Sequence, residues 1–301
     1  MNTFTIMIDT GADMPQEYIE EYGVATIPIP FNLDGKQHSG GRWQEISDRD
    51  FYDALRGGAS AGTALINPET FVQIFTDYAA RREELLLITL SSGLSGTYQN
   101  SVIALSEVKK DYPDCMIRTV DSVNAAGGAG LVAVLAARRR FEGYSLDETA
   151  DWLENKRNSC LSLFTVNDLM YLHRGGRLGK VSAVAGSIIG IKPLLNVAPD
   201  GTLKLKDKVR GRKAAIKALC SQMKRSLSDA GDLETVIISH SDCFEDAEAL
   251  ASLIRASVNV RKINIVMMGP VIGAHVGPGC VALFFEADMT RTEYEAKFYG
   301  K

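Results

Sequence analysis

The strongest constraint in this sequence is an alternation. In the first half, short apolar runs at residues 4–9, 85–89 and 116–121 are separated by stretches whose apolar residues recur at helical spacing. Runs this short and apolar read as buried strands. After Asn67, an N-cap followed by Pro68, the residues Phe71, Ile74, Phe75 and Tyr78 mark one helix face. Tyr98, Val102, Leu105 and Val108 repeat the device after the next strand. Strands alternating with helices of this length predict a parallel sheet with right-handed crossovers.

The second half has a different pattern. Residues 191–197 and 202–208 flank Ala198-Pro199-Asp200-Gly201, where proline fixes φ and glycine supplies a positive φ. This predicts an antiparallel hairpin, a feature not expected in the first half. Lys204, Lys206 and Lys208 alternate and are placed on its solvated face, with Arg210 at the start of the next helix, facing water. Further strands are expected at 236–239, 263–268 and 281–286. Between the first two, Asp242 and Glu245 resemble a capping box ahead of Ala247, Leu250, Ala251 and Ile254. The expected fold class is α/β: a parallel-sheet α/β domain over 1–160 and an α+β domain with antiparallel strands over 161–301, the last strand free to return to the interface.

Composition narrows the functional classes. With 33 Lys and Arg against 37 Asp and Glu, the net charge is −4, which lacks the global basic footprint of a nucleic-acid-binding protein. The five cysteines form no C-x-x-C pair and read as reduced thiols of a cytoplasmic protein. Residues 1–9 carry no basic leader segment, and no run approaches the roughly 20 apolar residues of a membrane span.

Ligands of open parallel sheets gather beyond the strands' carboxyl ends. The loops expected there are Asp9-Thr10-Gly11-Ala12-Asp13, Ser91-Ser92-Gly93-Leu94-Ser95-Gly96-Thr97 and Gly269 to Gly279, with Gly62 to Asn67 as a fourth. Hydroxyls and glycines beside helix starts suit one modest anion, a carboxylate or a phosphate. Ser92 and Ser95 are equally readable as helix caps. Asp9 is read as an acceptor for nearby backbone amides, and His275 as a ligand residue held in a glycine- and proline-fixed loop.

Other motifs fail. Gly93 to Thr97 misses the G-x-S-x-G elbow because position 97 is Thr. His173 to Val181 misses the phosphate loop at both its first glycine and its last hydroxyl. Gly128-Ala129-Gly130-Leu131-Val132-Ala133 fits G-x-G-x-x-A but reads as a helix start packed closely on a sheet. Arg174-Gly175-Gly176-Arg177 reads as a helix end and glycine turn with its arginines in water. No His, Cys or carboxylate spacing suggests a metal.

Taken in order, seven segments resemble one family. They are Asp9-Thr10-Gly11-Ala12-Asp13, Thr63 with Asn67-Pro68-Glu69, Leu94-Ser95-Gly96-Thr97-Tyr98-Gln99, Asp121-Ser122, Tyr171-Leu172 with Arg174-Gly175-Gly176-Arg177, Ile191-Lys192-Pro193, and Gly269-Pro270 with His275, Gly277, Pro278 and Gly279. They resemble the DegV family, the fatty-acid-binding (FakB-type) subunits of bacterial fatty acid kinase, over almost the whole chain. The resemblance implies one long-chain fatty acid bound between the two domains. It implies that Thr63 and Ser95, with Gly96, hold the acyl carboxylate and that His275 lies close to it. It implies that Arg210 acts in phosphoryl transfer or kinase docking. It further implies no cofactor and no active site in the chain itself, ATP and magnesium being held by the partner kinase, with transient contact at a membrane surface. The chain departs from the family at Thr63-Ala64-Leu65-Ile66-Asn67, where a second hydroxyl, an amide and a proline are missing. Two other uses of the same residues stay open: a hydrolase or acyl transferase with Ser95 as nucleophile and His275 as base, and a sensor of another small anion.

Overall fold

The computed structural model describes residues 4–40, 46–179, 190–228 and 232–300. Lys180 and Val181, at the end of the rejected phosphate-loop motif, lie outside them.

The apolar runs of the first half form β1 (Thr5–Asp9), β2 (Ala25–Ile27), β6 (Leu85–Thr89) and β7 (Ile117–Asp121), paired in parallel in the order β2-β1-β6-β7. Every residue of β6 is buried, as expected of a central strand covered on both faces. Asn67 caps the helix Pro68–Arg81, its side chain accepting from Thr70 N at 2.9 Å. In the helix Thr97–Asp111 the buried stripe is Thr97, Ser101, Ala104 and Val108 rather than the stripe led by Tyr98 and Val102. Small residues let this helix approach the sheet closely, and the larger side chains lie at its flank.

Antiparallel pairing does occur in the first half. The strands β3 (Phe31–Leu33), β4 (Lys36–His38) and β5 (Ala61–Thr63) form a small sheet in the order β4-β3-β5. Its hairpin turns on Asp34 and Gly35, with φ of 48° and 79°, the two-residue turn that favours Asp-Gly. That dipeptide was the available signal. Strands of three residues are too short to show alternation.

The second sheet comprises β8 (Cys160–Thr165), β9 (Ile191–Val197), β10 (Leu203–Arg210), β11 (Asp232–His240), β12 (Asn259–Met267) and β13 (Val281–Glu286), ordered β10-β9-β8-β13-β11-β12. Only β11 and β12 run parallel within it. The predicted hairpin is β9–β10, but a register shift between Leu205 and Asp207 turns Lys206 away from the solvated row. Lys206 is ion-paired with Glu295 in a half-buried position. The expected capping box before the helix Phe244–Arg255 is also absent: Cys243 holds the N-cap position without a side-chain bond. Asp242, at φ 52°, pairs with Arg56 at 2.5 Å instead. No described helix is long and apolar enough to cross a membrane.

The two sheets are joined by one helix, Gly127–Phe141, buried from Gly127 to Ala137. It carries the G-x-G-x-x-A segment, and the close packing read from that motif is what the structure shows. A methyl group at Gly127 would stand 2.6 Å from Ile237 Cγ2 and 2.8 Å from Phe284 Cδ2, both on the second sheet. At Gly130 it would stand 3.0 Å from Met14 Cα, beyond the end of β1. One apolar cluster accordingly spans Ile6 and Ile8 of β1, Val132 and Ala136 of the helix, and Ile237 and Phe284 of the second sheet. Gly127→Ala should lower stability by about 1–3 kcal/mol through overpacking. Gly62→Ala, where a methyl meets nothing within 4 Å, should cost nothing. Urea unfolding of the two variants beside the parent measures the contrast.

Candidate functional site

Between the sheets lies a cavity with about 760 Å³ of space between its lining atoms, part of it open to solvent. Its lining is apolar apart from Thr63, Ser95, Ser162, Arg177 and His275. Both halves supply walls: Ile29, Leu90 and Ala126 from the first, and Phe164, Val197, Ala282 and Phe284 from the second.

Thr63 ends β5, opposite Phe31, so the unforeseen small sheet fixes its backbone. Its Oγ1 lies 2.8 Å from His275 Nε2. His275 sits in the last turn of a helix, Pro270–Val276, and not in the expected loop. Pro270, placed early in the sequence segment, takes the first helical position, where its missing N–H costs nothing. Gly273 lets this helix press on Phe51 and Tyr52, whose hydroxyl would stand 2.6 Å from a methyl there. Asp13 Oδ1 accepts from Gly269 N at 2.9 Å and anchors the start of the same helix.

Ser95 stands one position before the N-cap of the helix Thr97–Asp111, which has no side-chain cap bond, and so is not itself the cap. Its Oγ lies 3.0 Å from Thr97 Oγ1 and accepts from Thr97 N at 3.3 Å, and it also faces the cavity. Gly96 holds the N-cap position beside it. Gly96 is not part of the lining, and a methyl there would press on Leu65 Cδ1 at 3.3 Å. Asp9 is wholly buried and accepts from Gly11 N (2.9 Å) and Leu90 N (2.7 Å), as read from the sequence. Burial pushes its carboxyl up to about 7, against the pull of those two amide hydrogens.

Sequence reasoning missed Arg177. Arg174 is exposed, over the ring of Tyr171, but Arg177 turns inward. Its Nε donates to Leu94 O at 3.0 Å and its Nη1 to Gly175 O. Partial burial pulls the guanidinium below its ordinary pKa. The signal lay in the two glycines between the arginines: a methyl at Gly175 would stand 2.4 Å from His275 Nδ1, so only glycine lets this turn close on the imidazole.

The electrostatics of the cluster are set by burial. His275 is pulled down to about 4, first by desolvation and then by Arg177, so the imidazole is neutral at pH 7. Its Nδ1 has no hydrogen-bond partner among the described residues. The imidazole faces Thr63 while the Ser95 hydroxyl faces Thr97, so the structure does not assemble the serine–histidine pair of the hydrolase alternative.

Arg210 is the last residue of β10 and does not begin a helix. Gly211, at φ 92°, separates it from the helix Arg212–Arg225. It is exposed and stands seven positions along the strand from Leu203, which lines the cavity. At ~3.3 Å per residue this puts it on the order of 20 Å away.

Comparison with known proteins gives one answer. A family model described as "Uncharacterised protein, DegV family" matches residues 3–288. A DegV domain-containing protein of Clostridium perfringens is 36% identical over 288 residues, covering 96% of this chain and 99% of that protein. A Thermotoga maritima protein whose structure is described as revealing fatty acid binding function is similar at a TM-score of 0.83 and 30% identity, with 95% of this chain and 100% of that one covered. A DegV lipid-binding protein from the same organism gives 0.82 and 29%, with 96% and 100% covered. The seven motifs, the two-sheet fold and these matches agree: the chain belongs to the DegV family.

Proposed function

We propose that this protein binds one long-chain fatty acid in the cavity between its sheets and presents the carboxylate to a partner kinase. The observation that carries the reading is the gathering of Thr63, Ser95, Arg177 and His275 on a lining that is otherwise apolar except for Ser162. An apolar wall suits an alkyl chain, each buried methylene contributing about 0.8 kcal/mol. A carboxylate leaving water needs charge and hydrogen bonds in return. Arg177 supplies the positive charge, and the hydroxyls of Thr63 and Ser95 supply donors. With its proton on Nε2, His275 donates to Thr63 Oγ1 and leaves the threonine hydrogen free to point at the acid. The fatty acid binding described for one Thermotoga maritima relative and the lipid binding described for the other support the same reading.

In the reaction proposed, a carboxylate oxygen of the bound acid attacks the γ-phosphorus of ATP held by the kinase. The bond to the leaving ADP breaks, giving an acyl phosphate and ADP. Arg210, exposed at the opposite end of β10 from the cavity-lining Leu203, fits contact with the kinase rather than with the acid.

Native mass spectrometry of freshly purified protein should show one fatty acid per chain. Protein that is persistently empty and takes up no added acid would overturn the reading. Thr63→Ala and Ser95→Ala should each weaken acyl binding roughly tenfold or more, the scale of a hydrogen bond to a charged group, and unchanged affinity in the double variant would refute the head-group assignment.

The neutral imidazole has its own signature. In the unfolded chain His275 titrates near 6.5 and in the folded one at about 4. Between those values the unfolded state binds the extra proton. The residue's contribution to stability is therefore complete above about pH 6.5 and fades as pH falls toward 4. Delipidated parent protein should lose more of its urea midpoint between pH 7.5 and pH 5 than His275→Gln does, with Asp9 acting alike in both. Equal losses would show that the imidazole is not held neutral.

A further inference from the structure

Arg291 opens the last helix, Arg291–Tyr299, yet it is only 1% exposed. Its guanidinium donates to backbone carbonyls alone. Cys160 O receives Nε at 3.2 Å and Nη2 at 2.9 Å, Val123 O receives Nη1, and Arg157 O lies 3.4 Å from Nη2. Among the described residues no carboxylate forms an ion pair with it. A charge buried in this way is costly, so what it holds in place is informative.

Val123 leads directly into Asn124, Ala125 and Ala126, and Cys160 begins β8. Val123 (φ 46°) and Ala126 (φ 52°) both adopt the left-handed region, which non-glycine residues enter only where their surroundings hold them. Between them Asn124 is wholly buried. Its Oδ1 accepts from Ser162 Oγ, and its Nδ2 donates to Cys160 O at 3.3 Å. Ala125, Ala126, Ser162 and Phe284 are one wall of the cavity. Behind it there is no slack: a methyl at Gly128 would stand 2.7 Å from Asn124 Oδ1 and 2.9 Å from Phe284 Cδ1. Apart from the Ser162 hydroxyl, which is spent on Asn124, this wall is apolar, and it suits contact with an alkyl chain rather than with a carboxylate.

We propose that Arg291 is a positioning residue that sets how long an acyl chain the cavity accepts, by clamping residues 123–126 to the start of β8. The inference rests on the fatty-acid reading above and adds what bounds the chain. The test is a competition series of straight-chain saturated acids of about 12 to 20 carbons, in which each buried methylene should raise affinity about fourfold. In the parent protein the gain should stop at one length, where the tail meets the wall. In Arg291→Lys, which keeps the charge but cannot reach all three carbonyls, the break should move by one or more methylenes. Should that variant fail to fold, Ser162→Ala severs the tie to Asn124 with Arg291 intact, and its break should move in the same way. A break that stays at the parental length while affinity falls equally for every acid would overturn the proposal, as would a parent protein showing no break. A parent that binds none of the acids would instead sink the fatty-acid reading itself, and the two failures are therefore distinct.

Discussion

The helix Gly127–Phe141 is the interaction on which the rest of the molecule depends. It is buried for eleven consecutive residues, Gly127 to Ala137, because it touches the parallel sheet with one flank and the mixed sheet with the other. Glycine and alanine at its start bring both sheets within contact of its backbone. Where the helix ends toward residue 126 the sheets are still held apart, and the gap left is the cavity. The cavity is thus a product of packing two sheets on a single helix.

Within this space the polar groups are few, and their charge states are unequal. His275 is desolvated and neutral, while Arg177, lowered by partial burial, is a guanidinium that stays charged and donates to two backbone carbonyls. The cluster therefore carries a single net positive charge opposite hydroxyl donors, matched to one anionic group. A second anion would find no further charge to meet it among the residues of the lining.

Much of this was legible in the residues. The parallel strands, the Asn67 cap, the β9–β10 hairpin, and the roles of Asp9 and the Gly128 segment all follow from period, capping and turn chemistry. Thr63, Ser95 and His275 were placed by resemblance and do meet at one cavity. What escaped depended on geometry that sequence spacing does not carry. The sheet β4-β3-β5 is built of strands too short to alternate, although Asp34-Gly35 announced its turn. The bulge at Lys206 reverses one side chain in a row that looks uniform. Arg177 looked like a solvated turn residue because its partner, the carbonyl of Leu94, lies 83 positions away in sequence.

The shared lining has a consequence for the chain as a linear object. Ile29, Leu90 and Ala126 face Phe164, Val197 and Phe284 across one space, and the apolar cluster behind them draws on both halves. A polypeptide released at the end of residue 160 would carry half a receptacle and one naked oily flank of its joining helix. Neither fragment would hold a solute, and each would tend to clump until it met its complement.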